Sequence, residues 1–290
     1  MPNRVGFVDN SSMLAHYAML AEIKDFCEDN GWSILRYDTS AANRELIMSA
    51  PGYTGPDGDV PGFVGVRTYQ SVASDYYNLC AASFTGYVSG NSFDTQPGVY
   101  LSGVPAHNQR IDYWMTINDR RLALAMKVGT PVYESAYLGY PLTPYFTPRQ
   151  FPYPIVCGGM LTGAAATRFS DTAHSFPYKS IANARLAMRL ADGSYFNPTC
   201  WPWSNNSLMN PTPTSNYQIR PTGTNYKLIP VIMRGANNLL AEFDGIYAIT
   251  GFDNAVENTL VIEGVTYIVI QDVARTGFVD YYAMRLDPND

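Results

Sequence analysis

The chain has 290 residues, 46% of them apolar, and a formal net charge of −6. That supplies a core for one large domain or two ordinary ones. Lys and Arg number 19 against 25 Asp and Glu, so there is no basic excess to track a phosphate backbone, which argues against direct nucleic-acid binding.

Charged residues make up only 15% of the chain, below the roughly 25% of ordinary soluble domains. Tyr (22), Phe (13) and Met (11) are plentiful. Such a composition suits surfaces that stay covered, either in a large aromatic β-protein or in a subunit buried within an assembly. Cys27, Cys80, Cys157 and Cys200 are too far apart for a CxxC or zinc pattern, and no disulfide pairing follows from their spacing. The opening MPNRVGFVDNSS lacks the apolar core of a signal peptide, and no apolar run reaches membrane-span length. The expectation is a protein neither exported by a signal nor spanning a membrane.

In chain order, the first element is a helix. Met13, Tyr17, Leu20, Ile23 and Cys27 recur at helical spacing, Ser11 or Ser12 is placed to cap it, and Asn30-Gly31 to end it. His16 lies at the edge of this face and reads as structural. Strands follow at 32–37 and 44–48. The loop 50–62, rich in Gly and Pro, reads as a structured turn or exposed tongue. Its Asp57-Gly58-Asp59 lacks a third acidic residue at EF-hand spacing. Phe63–Tyr69 and Tyr76–Tyr87 read as strands. Ile111–Asn118 and Arg120–Val128 read as a hairpin around Asn118-Asp119. A helix over 119–128 is the alternative, disfavoured by the Ile, Tyr, Trp and Thr of the partner run.

Residues 130–154 hold six prolines and five tyrosines. Proline removes a ladder donor, so this segment reads as an ordered, extended arm outside the regular sheet. It lies either on its own body or on a neighbouring subunit, with Tyr133, Tyr137, Tyr140, Tyr145, Phe146, Phe151 and Tyr153 as candidate assembly contacts. Gly158–Ala166 reads as a glycine-rich turn, and without GK[ST] it is no phosphate loop. A hairpin is expected over 184–196. Residues 199–225 read as a loop-rich boundary whose Trp201 and Trp203 would suit a sugar or a covered interface. Residues 244–287 read as a β-meander with a hairpin at Glu263-Gly264 and no catalytic-looking buried group.

The three histidines, His16, His107 and His174, have no acidic or cysteine neighbours in sequence, and neither GxSxG nor HExxH occurs. The chain therefore reads as a non-enzyme with no cofactor and no bound metal. The fold class is mainly β (α+β): an N-terminal helix, antiparallel strands, the Pro/Tyr arm and a C-terminal meander. It divides as 1–160 and 161–290, or forms one continuous domain.

Several runs carry a resemblance. In the C-terminal stretch these are Gly245, Tyr247, Gly251, Phe252, Glu257, Asn258, Gly264, Tyr267, Arg275, Thr276, Asp280 and Ala283. Upstream are Asn30-Gly31-Trp32, Asp112-Tyr113-Trp114 with Asn118-Asp119-Arg120-Arg121, Tyr137–Pro141, Pro144-Tyr145, Pro148–Pro154 and Gly158-Gly159. Their order resembles virion structural proteins of tailed bacteriophages; nothing aligns over 165–235. The resemblance implies a virion subunit of the neck (collar or connector) or tail, made in the host bacterial cytoplasm. It implies ring-like contacts with copies of itself and with other virion proteins. It also implies a structural role for Arg275. A baseplate or fibre-associated glycan-binding module, or a capsid decoration protein, is the alternative.

Overall fold

The computed structural model describes residues 2–55, 58–144, 155–171, 174–180, 185–190, 192–204, 221, 225–235, 238–273 and 277–286. Tyr145, Phe146, Phe151, Tyr153, Asp57 and Arg275 lie outside the described residues.

The protein is mainly β, with antiparallel sheets and one α-helix among the described residues. In chain order the elements are β1 (Asn3–Val8), α1 (Ala15–Asp29), β2 (Ser33–Asp38), β3 (Glu45–Gly55), β4 (Gly58–Ser71), β5 (Tyr76–Phe84) and β6 (Tyr100–Val104). Then come β7 (Ile111–Ile117), β8 (Arg121–Gly129), β9 (Val132–Gly139), β10 (Val156–Gly159), β11 (Leu161–Thr162), β12 (Arg185–Arg189) and β13 (Tyr195–Phe196). The last are β14 (Thr199–Trp201), β15 (Ile229–Gly235), β16 (Asn238–Ile249), β17 (Thr259–Ile262), β18 (Val265–Gln271) and β19 (Tyr281–Arg285). Three sheets result, ordered β1-β7-β8-β9-β10-β12-β13, β11-β6-β5-β4-β3-β2 and β14-β15-β16-β19-β18-β17.

The seven-stranded sheet is the middle layer, because both faces of its central strands are buried. Residues alternate across a strand. Leu122, Leu124, Ala136 and Leu138 face the second sheet and α1, lining a cavity of about 10 Å³ with Ile23, Val66, Leu79, Ala81 and Val104. So small and apolar a space stays dry. On the opposite face, Ala123 pairs with Tyr137 and Ala125 with Ser135. These alanines leave room for the rings of Tyr133 and Tyr137, which pack toward the third sheet. One core cluster runs from α1 through all three sheets. The middle sheet takes strands from both sides of position 160, so a division there cuts through a sheet and its core.

Several expectations need correction. The helix starts at Ala15, and neither Ser11 nor Ser12 caps it; Asn108 Oδ1 accepts the Ala15 N–H at 3.1 Å instead. Met13 precedes the helix and is exposed, whereas Tyr17, Leu20, Ile23 and Cys27 are buried as expected. Asn30 caps the C-terminus, but the left-handed residue is Gly31, at φ 82°. The described residues of the 50–62 loop, 50–55 and 58–62, belong to the far end of the β3–β4 hairpin, in keeping with a structured turn, with a bulge between Ala50 and Tyr53.

The largest correction concerns the Pro/Tyr arm. Its first third is β9, an inner strand between β8 and β10. The prolines sit at 131, 141, 144, 148, 152 and 154, so none falls within Val132–Gly139 and the ladder keeps every donor. The expected glycine turn likewise begins as a buried strand, β10. A Cβ on Gly159 would come 2.8 Å from Ser102 Cβ and 2.9 Å from the Gly103 carbonyl oxygen. Glycine here lets two sheets approach closely.

Candidate functional site

Two groups of polar side chains stand out, and both join sheets. The first is the β7–β8 turn. Asn118 Oδ1 accepts the N–H groups of Arg120 and Arg121 at 2.9 and 3.0 Å, which shapes the turn locally. Its Nδ2 donates to Asp244 Oδ2 of β16 at 2.7 Å. Arg120 reaches the same oxygen at 3.4 Å. Toward the second sheet, the Asn118 carbonyl accepts Trp32 Nε1 at 2.9 Å and the Asp119 carbonyl accepts the Gly52 N–H at 2.6 Å. Arg121 is fully buried, donating to Thr116 O at 2.9 Å and to Thr116 Oγ1 at 2.5 Å. Four consecutive residues thus tie all three sheets together.

The second group is buried between the middle and third sheets. Lys179 ends a short 3-10 turn, Pro177–Lys179. Its Nζ donates to Asp272 Oδ2 at 2.9 Å and to Asp280 Oδ1 at 2.5 Å. Asp272 follows β18, Asp280 precedes β19, and the Asp272 N–H donates to the Asp280 carbonyl at 2.9 Å. Asp272 Oδ1 also accepts the Phe176 N–H at 3.2 Å. All three charged residues are under one tenth exposed. Aromatic rings wall the site. Phe176 packs edge-on against Trp203 (5.3 Å) and Tyr282 (5.1 Å), and Tyr178 against Phe243 (5.0 Å) and Tyr282 (4.8 Å). Burial pulls the Lys179 ammonium toward deprotonation, but Asp272 and Asp280 outweigh it and hold the pKa above its ordinary value.

Nearby, His174 Nε2 lies 2.6 Å from Glu134 Oε1, both side chains sealed from solvent. Burial pushes the Glu134 carboxyl up to about 7 despite the imidazole. For His174 burial acts downward, yet Glu134 and the surrounding carboxylates hold it above its ordinary value. The C-terminal meander, in which no catalytic-looking buried group was expected, thus buries the carboxylates of Asp272 and Asp280 against Lys179. Sequence reasoning missed it because Lys179, Asp272 and Asp280 are separated by 93 and 101 positions from lysine to each acid, and no spacing rule links them.

The predicted site residues fall differently. Tyr133, Tyr137 and Tyr140 are buried in the chain's own core, which corrects their reading as contacts to a neighbour. Tyr133 OH and Lys127 both donate to Glu257. Tyr137 OH accepts the Asp244 N–H at 3.2 Å, and Tyr140 OH donates to Pro61 O at 3.2 Å. Trp203 is buried, its Nε1 donating to Val279 O at 2.8 Å, so its ring is no open sugar platform; Trp201 is half-buried. All four cysteines are buried free thiols. Burial pushes Cys80 and Cys157 up to about 12, where a thiol is inert. Among the described residues no group of three or more His, Cys, Asp or Glu could hold a metal. No helix among them is long and apolar enough to cross a membrane. No protein-family model matches the chain, and no curated protein matches it.

Proposed function

We propose that the chain is a structural subunit of a tailed-phage virion, of the neck or tail, that works as a rigid body in contact with copies of itself and with other virion proteins. The observation that carries this reading is where the resembling residues act. Asn118–Arg121 tie three sheets at one turn. Glu257 receives Lys127 at 2.5 Å from the middle sheet. Asp280 receives Lys179, and the neighbouring Tyr282 meets Ser135 at 2.6 Å. These described residues of the resembling pattern therefore serve rigidity, as a part of a particle under mechanical stress requires.

Contacts with neighbours need other residues than Tyr133, Tyr137 and Tyr140. Among the described residues the exposed large apolar side chains include Val5 and Phe7 on edge strand β1, where backbone groups also lack a strand partner on one side. Size-exclusion chromatography with light scattering on the purified chain, together with cross-linking of intact particles, tests the reading. Oligomers, or cross-links from this chain to other virion proteins, are expected. A monomer at all concentrations with no cross-link to any virion protein would sink it.

A further inference from the structure

We infer that Lys179 and Asp272 form an intramolecular amide bond, with Asp280 as the group that moves the protons. The proposal does not depend on the phage reading. It rests on one amine held against two carboxylates inside an aromatic wall.

The buried charges motivate the reaction. One ammonium and two carboxylates in an apolar site are expensive to keep ionised. Converting the ammonium and one carboxylate into a neutral amide removes two of the three charges and releases water. Hydrogen bonds hold the amine against both carboxyls, which raises their effective concentration toward one another. Nζ is within hydrogen-bond distance of both acids, at 2.9 and 2.5 Å.

The geometry separates the roles of the two acids. Asp272 Oδ1 accepts the Phe176 N–H at 3.2 Å, so a donor is in place for the oxygen that becomes negative when nitrogen attacks Cγ. Asp272 Oδ2 faces Nζ and is the leaving oxygen. Asp280 is the nearer acid to Nζ and takes its protons. The two carboxylates favour the ammonium, so the first step, transfer of one of its protons to Asp280, is uphill; it frees the nitrogen lone pair. Nζ then bonds to Asp272 Cγ, Asp280 carries two protons from the nitrogen to Oδ2, and the Cγ–Oδ2 bond breaks with that oxygen leaving as water. Of three ammonium hydrogens one stays on the amide and two leave with Oδ2 as water. An ammonium and a carboxylate become an amide and a water, with no oxidant, reductant or net proton required. The bond would clamp the segment between β11 and β12 to the end of β18, across 93 positions of chain.

The test is the intact mass of the denatured, reduced protein. The wild-type chain is expected to be lighter than its sequence by one water. Trypsin is expected to leave Lys179-Ser180 uncut and to yield a branched peptide joining Lys179 to Asp272. Asp280→Asn keeps the shape of the side chain but cannot take a proton, so it is expected at full sequence mass with cleavage restored. Lys179→Arg is expected at full sequence mass as well. Because the wild-type measurement stands alone, misfolding of either variant leaves the proposal exposed to refutation. Full sequence mass with cleavage after Lys179 in the wild type would overturn it, and a branch at Asp280 would overturn the assigned roles.

Discussion

Titratable side chains buried in this molecule pull its stability in opposite directions with pH. His16 is sealed in the helix face, 4.4 Å from the Tyr17 ring and 5.4 Å from Tyr77. Burial pushes it down from 6.5 to about 4. Its folded pKa is depressed, so its contribution is full above 6.5 and is lost as pH falls toward 4. Glu134 has the other sign. Its folded pKa is raised from 4.5 to about 7, so its contribution is full below 4.5 and is lost as pH rises through 7. His174, also raised, follows Glu134. Denaturant titrations across pH should show the alkaline loss flattened by Glu134→Gln and the acid loss reduced by His16→Phe. The shift at His16 corresponds to about 3 kcal/mol at most. An unchanged acid limb in His16→Phe would assign that loss to other groups. Neither behaviour was legible in the sequence, where His16 and His174 both stand without an acidic neighbour.

At the scale of elements, periodicity was a good guide wherever local chemistry decides the outcome. The β17–β18 hairpin turns at Glu263-Gly264, with φ 53° and 81°, the paired left-handed conformation of a tight two-residue turn. The β7–β8 hairpin also forms as read. Its residues 121–129 have good helix formers, but pairing with β7 on one side and β9 on the other overrides propensity. Segments misread were those whose structure is set by distant partners. β9 was hidden by averaging its composition with the prolines beyond it. β10 was hidden by glycines that serve close approach between sheets. Gly159→Ala is therefore expected to cost about 1–3 kcal/mol, because neither Ser102 nor the Gly103 backbone can withdraw without moving β6. Thermal unfolding of the variant checks this, and an unchanged midpoint would show that the gap between the sheets is slack.

For the whole molecule, the shared core and the turn at Asn118–Arg121 predict that the three sheets unfold together. Far-ultraviolet circular dichroism reports all strands. Tryptophan fluorescence reports Trp32 against the β7–β8 turn, Trp114 beside Tyr133, and Trp201 and Trp203 in and near the third sheet. The two signals should give coincident transitions. Asn118→Ala removes the bond to Asp244 and both turn-shaping bonds, and is expected to cost about 1–3 kcal/mol. If the third sheet is instead held mainly by its own strands, the variant will split the transition in two while leaving the first midpoint in place.

By itself the sequence determined the β-rich class, the helix face, the main hairpins and the absence of any recognisable catalytic motif. These follow from short-range rules, because side-chain period and turn chemistry act over a few residues. Tertiary structure decided which strands lie inside, that the arm tyrosines point into the chain's own core, and that Lys179 meets Asp272 and Asp280. Those outcomes depend on residues brought together over long stretches of chain, where desolvation and packing set the energy and no local pattern records the partner.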